Sequence, residues 1–207
     1  MKILRCEDSV FPYIAYIPNN CSDRPGLLVQ LHGAGERGRG GKELDKVLVH
    51  GFSKVADDET LKDCILVMPQ CPTGSFWAAR VESIRVFVDE IMGRYNVDPS
   101  RVYLCGLSMG GYGTWYTAMA YPDLFAAILP CCGGGMAWNA DVLTMPIWAF
   151  HGREDDDVSV NETLMMAEVL ERTNSAFRCT IYEGVGHNCW SLAMDKARLQ
   201  WLLAQHK

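Results

Sequence analysis

The sequence predicts an α/β fold in a single domain over residues 1–207: a mostly parallel central sheet with helices on both faces. Three observations predict it. Short, continuous apolar runs alternate with helical patterns, which is how strands buried on both faces of a parallel sheet read. Several of those runs stop at a glycine or proline, as at His32-Gly33, Pro69 and His151-Gly152. A chain of 207 residues that is 49% hydrophobic and 21% charged can bury one sizeable core.

The elements follow in order. Residues 11–17 read as a strand, placed at a sheet edge by Pro12. Residues 19–25 are a polar turn. Residues 27–31 form a buried strand ending at His32-Gly33, and residues 64–68 another, stopped by Pro69. Residues 79–95 carry Val81, Ile84, Val88 and Ile91 at helical spacing. A strand at 102–105 precedes Gly106-Leu107-Ser108-Met109-Gly110, and a helix at 111–120 follows it. Strands at 125–129 and 147–150, a helix at 162–170 and a strand at 177–182 continue the alternation. Residues 190–205 close the chain as one helix. The connection from Pro130 to Pro146 has room for one short helix but not for a lid. There is no internal repeat, low-complexity segment or linker.

Composition excludes several classes. A net charge of -6 without a Lys/Arg cluster argues against a nucleic-acid partner. No apolar run approaches the ~20 residues of a membrane span. The first eight residues lack the apolar stretch of a signal peptide. Nine scattered cysteines without a C-x-x-C signal neither a zinc ribbon nor a redox dithiol. Several fall in apolar strands and read as buried thiols, which favours a reducing cytoplasm.

The strand, G-x-S-x-G and helix at 102–120 make a nucleophile elbow, which lifts the Ser108 hydroxyl above the end of a sheet. In such sheets the working groups sit on loops beyond the carboxyl ends of strands. His187, in the glycine-containing loop after the strand at 177–182, is the candidate general base. His32 and His151 each precede a glycine at a strand end and suit structural hydrogen bonds. His50 and His206 have no comparable loop. The acid must lie between serine and histidine in chain order, and Glu154, Asp155, Asp156 and Asp157 all qualify by spacing. Backbone N–H groups of Met109, directly after the serine, and of Ala34, in the glycine-rich loop at 32–38, are the candidate oxyanion donors. That loop lacks the G-x-x-x-x-G-K-[ST] of a phosphate-binding loop. Trp77, Trp138 and Trp190 lie in loops on the same side and are candidate walls for substrate.

These residues carry a resemblance. The chain resembles the α/β-hydrolase superfamily over nearly its whole length, and most of all its small lidless esterases of the dienelactone-hydrolase and phospholipase/carboxylesterase type. It is also similar to the feruloyl-esterase and polyhydroxybutyrate-depolymerase-like group often described as predicted peptidases. The matching segments are residues 32–38, Pro69-Gln70-Cys71-Pro72 with Trp77, residues 106–111, His151-Gly152 with Asp155 and Val158, and Gly186-His187. The resemblance implies an α/β-hydrolase fold without a lid domain. It also implies a serine hydrolase acting on short-chain or aryl carboxylic esters, such as feruloyl or acetyl esters, with no metal or cofactor. Its H-G-x-x-D-x-x-V pattern implies Asp155 as the acid. The run Asp155-Asp156-Asp157 departs from the pattern by leaving room for a one-step shift, and the chain is shorter than many relatives. Peptide hydrolysis, acyl transfer and thioester hydrolysis would use the same three side chains.

Overall fold

The computed structural model describes residues 1–207. Eight strands form one sheet in the order β1-β2-β4-β3-β5-β6-β7-β8. They are β1 (Lys2–Cys6), β2 (Tyr13–Ile17), β3 (Gly26–Leu31), β4 (Cys64–Pro69), β5 (Val102–Leu107), β6 (Ala127–Cys131), β7 (Ile147–Gly152) and β8 (Phe177–Tyr182). β2 runs antiparallel to both β1 and β4, and the other pairings are parallel. The α-helices are α1 (Asp58–Leu61), α2 (Val81–Tyr95), α3 (Met109–Ala120), α4 (Asn161–Thr173), α5 (Trp190–Ala193) and α6 (Lys196–Leu203).

Strand alternation explains the two layers. Leu27, Val29 and Leu31 of β3 point into one apolar cluster, together with Ile84 and Phe87 of α2, Trp115 of α3 and Met166 of α4. Leu28 between them points into the other, with Leu61 of α1 and Leu199 and Leu202 of α6. A strand buried on both faces is apolar at nearly every position, which is why β3, β4 and β5 read as near-continuous runs; the buried Gln30 of β3 is satisfied by His50 O and Phe52 N–H.

Two expectations change. Residues 11–17 are not the edge: β2 starts at Tyr13, after Pro12, and is paired on both sides. The edge is β1, whose mixed sequence and exposed face hide it from an apolar-run reading. The closing helix is two helices. The backbone leaves helical geometry at Met194, and Asp195 starts α6 afresh, its side chain accepting from the N–H of Arg198 at 2.8 Å.

Between β6 and β7 lies only a short 3₁₀ stretch, Ala137–Val142. All nine cysteines are free thiols, and Cys64, Cys71, Cys105, Cys131, Cys132 and Cys189 are buried. No helix is long and apolar enough to cross a membrane.

Candidate active site

The site grows from the turn between β5 and α3. Ser108 occupies it at φ +54° and ψ -118°, a region that costs an L side chain energy and persists only where surrounding contacts hold it. Its N–H donates to Cys131 O at 2.9 Å. A Cβ on Gly106 would run into Gly110 O, and one on Gly110 into Leu31 O. Both positions must therefore be glycine for α3 to start so close to the sheet.

Two loops complete a line of side chains. His187, after β8, has Nε2 2.8 Å from Ser108 Oγ and Nδ1 2.7 Å from Asp155 Oδ2. The carboxylate only accepts, so Nδ1 carries the proton and Nε2 is left to accept from the serine hydroxyl. Of the four acids at 154–157, Asp155 alone is buried; its neighbours are exposed. Burial works to raise the Asp155 carboxyl. The N–H groups of Val158 and Asp157, at 2.8 and 3.0 Å from Oδ1, and the His187 imidazole outweigh it and hold the group below the usual carboxylate range. Asp155 is thus an anion whose orientation is fixed from both oxygens.

The loop after β3 is tied down from below. His32 Nδ1–H donates to Gly33 O at 2.6 Å, while Nε2 accepts the N–H of Cys71 at 2.9 Å. Gln70 Nε2 donates to Glu36 O and Glu43 O, and Gln70 Oε1 accepts from Gly40 N–H. The segment Pro69-Gln70-Cys71-Pro72 is therefore the clamp on the loop that presents Ala34. Burial pushes the His32 imidazole down to about 4, so it stays neutral and can keep accepting. Ala34 and Met109 are each the first residue of a helical turn, where the N–H has no partner within its own helix. Both border the same cleft as Ser108.

Ser108 stands between two clefts. One, of about 310 Å³, is almost wholly apolar and is formed by Phe76, Ala78, Met109, Tyr112 and Val158. The other, of about 440 Å³, is mixed in character and includes Glu36, His50, Asp157, His187 and Trp190. Of the three tryptophans, Trp190 alone lines a cleft, with its ring edge-on to His187 at 5.1 Å. Trp77 is not a substrate wall. It is fully buried, packs edge-on against Phe11 and His32, and its Nε1 donates to His32 O at 3.0 Å, so it supports the loop from inside. Trp138 is 80% exposed and borders neither cleft. Phe76, Tyr112, Glu36 and His50 were not legible as lining residues. Glu36 falls within the loop at 32–38 and the other three in no motif, and a linear reading does not tell which of these side chains face the clefts.

The profile of the phospholipase/carboxylesterase family matches residues 76–201. A bifunctional acetylxylan esterase/xylanase of Neocallimastix patriciarum is 29% identical over 170 residues, covering 79% of this chain and 24% of that protein. A probable acetylxylan esterase A of Aspergillus terreus is 27% identical over 170 residues, covering 75% of this chain and 50% of its own length. The chain thus spans half or less of these relatives. A thermostable esterase of known structure superposes with a TM-score of 0.85 at 27% identity, over all of this chain and 63% of that one. A family match over more than half the chain, on a mostly parallel sheet carrying this serine elbow, places the protein in the phospholipase/carboxylesterase family of α/β-hydrolases.

Proposed function

We propose that this protein is a serine carboxylesterase that removes short or compact acyl groups through an acyl-enzyme on Ser108. The observation that carries the reading is the unbroken line Ser108 Oγ, His187, Asp155 at the junction of an apolar cleft and a mixed one that holds polar side chains. His187 takes the serine proton as Oγ attacks the ester carbonyl. Asp155 holds the imidazole in the required tautomer and stabilises the cation it becomes. The N–H groups of Ala34 and Met109 receive the oxyanion. His187 then hands its proton to the departing alkoxide, and water repeats the sequence to free the acid.

That last transfer orients the substrate. The leaving oxygen must sit beside His187 Nε2, so the alcohol occupies the mixed cleft with Trp190, His50 and Glu36. The acyl group points the other way, into the apolar cleft of Phe76, Met109 and Tyr112. At about 310 Å³ this cleft is near the lower end of ordinary ligand pockets. Longer chains would leave it for solvent and lose the ~0.8 kcal/mol gained per buried methylene. A small acyl group on a hydroxyl-rich alcohol matches the acetylated xylan named for the fungal relatives. We take the cytoplasm as the location, on the strength of nine free thiols.

The test is a panel of p-nitrophenyl esters of graded acyl length, run beside methyl ferulate and acetylated xylan. Acetyl to butyryl esters should show the highest kcat/KM, without interfacial activation. A fluorophosphonate probe should label Ser108 in the wild type and leave Ser108→Ala unlabelled. A kcat/KM that climbs through the dodecanoyl ester, or labelling at another serine, would refute the reading.

A further inference from the structure

Glu36 has a fixed backbone and an unpartnered carboxylate. Its carbonyl oxygen accepts from Gln70 Nε2 at 3.0 Å. Its side chain is only 13% exposed, and Oε2 is buried with no hydrogen-bond donor. His32 Nδ1 lies 4.0 Å from Oε2, but its proton goes to Gly33 O and the imidazole is neutral, so the two form no ion pair. Arg37, next in the chain, turns elsewhere: its guanidinium donates to Ala34 O and Ser75 O. A mostly buried carboxylate that no donor meets costs the fold stability.

Its position relates that cost to the reaction. A Cβ built on Gly33 would stand 3.1 Å from Glu36 Oε2 and 3.7 Å from Ser108 Cβ, so carboxylate and nucleophile lie around the same glycine. Glu36 and Ser108 border the same mixed cleft, together with His50, Asp157, His187 and Trp190. No lysine or arginine lines it. The cleft therefore offers acceptors to a ligand and holds no cation that would bind an anionic one. No hydrogen bond of Oε2 has to break before it accepts a new donor, and rotation about the last side-chain bond exchanges the two oxygens.

We propose that Glu36 is a specificity-determining residue whose carboxylate accepts a hydrogen bond from a hydroxyl beside the ester, so that the enzyme selects esters of neutral polyols, sugars among them, over esters of plain alcohols. This rests on the reading of the protein as a serine esterase with its alcohol side in the mixed cleft. An alcohol with no second hydroxyl would cover the carboxylate and leave a charge both unpaired and shielded from water. Sites of that kind reject the analogue that lacks the hydroxyl, beyond the loss of one bond. The Trp190 ring adds a flat apolar surface for the C–H face of a sugar ring. A quaternary ammonium is the competing occupant for an acidic cleft. It is best held by aromatic faces on several sides, and this cleft presents one tryptophan.

The experiment measures kcat/KM of wild type, Glu36→Leu and Glu36→Gln on three acetyl esters. Methyl 3-O-acetyl-xylopyranoside carries a hydroxyl on each side of the ester, cyclohexyl acetate has the same ring size and none, and acetylcholine carries the ammonium. The intrinsic reactivity of each ester cancels when variant and wild type are compared. The xyloside-to-cyclohexyl ratio should fall about tenfold or more in Glu36→Leu, the size of a hydrogen bond to a charged group. In Glu36→Gln, which keeps an acceptor oxygen without the charge, it should fall less, by about threefold. Circular dichroism and thermal melting check the fold, and if the Leu variant does not fold the Gln variant decides. An unchanged ratio in the folded variants, or a loss concentrated on acetylcholine, overturns the proposal. Failure of the esterase reading looks different: the wild type would turn over none of the three esters, and Ser108 would stay unlabelled by the fluorophosphonate.

Discussion

His32 offers a prediction whose size follows from the structure. The folded protein keeps this imidazole neutral until about pH 4, because the ring is buried beside Trp77 and its Nε2 accepts the Cys71 N–H. The unfolded chain takes up the proton near the ordinary value of about 6.5. Between those values the unfolded state binds more protons, so stability rises with pH. The contribution is complete above pH 6.5 and is lost as pH falls toward 4. From pH 7 to pH 5 this single group should cost about 2 kcal/mol of stability, rising to about 3 kcal/mol by pH 4. The perturbation is His32→Gln, whose amide can still accept from Cys71 but cannot titrate. Urea unfolding followed by tryptophan fluorescence at pH 7 and pH 5 gives both differences. Carboxylates and the other histidines change equally in the two proteins, so the wild type should lose about 2 kcal/mol more than the variant over that interval. Equal losses would show that the His32 environment does not exclude the proton, and the account of the loop clamp would fail with it. In the folded protein, protonation at about pH 4 removes the acceptor that holds the Ala34 loop, so wild-type kcat should fall reversibly near that pH.

Two further outcomes are expected. Asp155→Asn should keep the fold and lose on the order of 10⁴ in kcat, the size seen when a triad acid is replaced by its amide elsewhere. Asp156→Asn and Asp157→Asn, on exposed side chains, should be mild, and steady-state kinetics of the three variants would expose a shifted assignment. Phe76→Ala should lower kcat/KM for butyryl esters several-fold and change acetyl esters by less than twofold. Its ring lines the apolar cleft, so under the proposed orientation the added methylenes of a butyryl chain bury against it more than an acetyl group does. Equal losses on both esters would place the acyl group elsewhere.

By itself, the sequence determined the features that short-range rules control. Parallel strands buried on both faces are apolar at nearly every position, so β3 to β7 stand out as runs. The elbow needs Gly106 and Gly110 at set distances from Ser108, so five residues announce it. His187 was legible because a fixed chain order and a glycine-bearing loop left it without a rival. β1 was hidden, since an exposed edge strand need not be apolar, and the break at Met194 was hidden because both halves of 190–205 keep helical composition. Only the tertiary structure decided what depends on direction. Four consecutive acidic positions have equal claims in a linear chain, and the resemblance alone singled out Asp155. In the fold the turn after β7 points just that carboxylate inward, onto backbone N–H groups and the His187 imidazole. Trp77 and Phe76 are adjacent, yet one is sealed beneath the Ala34 loop and the other walls a cleft. His151 reads like any histidine before a glycine until α4 brings Thr163 to its ring. Side-chain direction and long-range proximity are set by how the loops close over the sheet, and local sequence does not encode them.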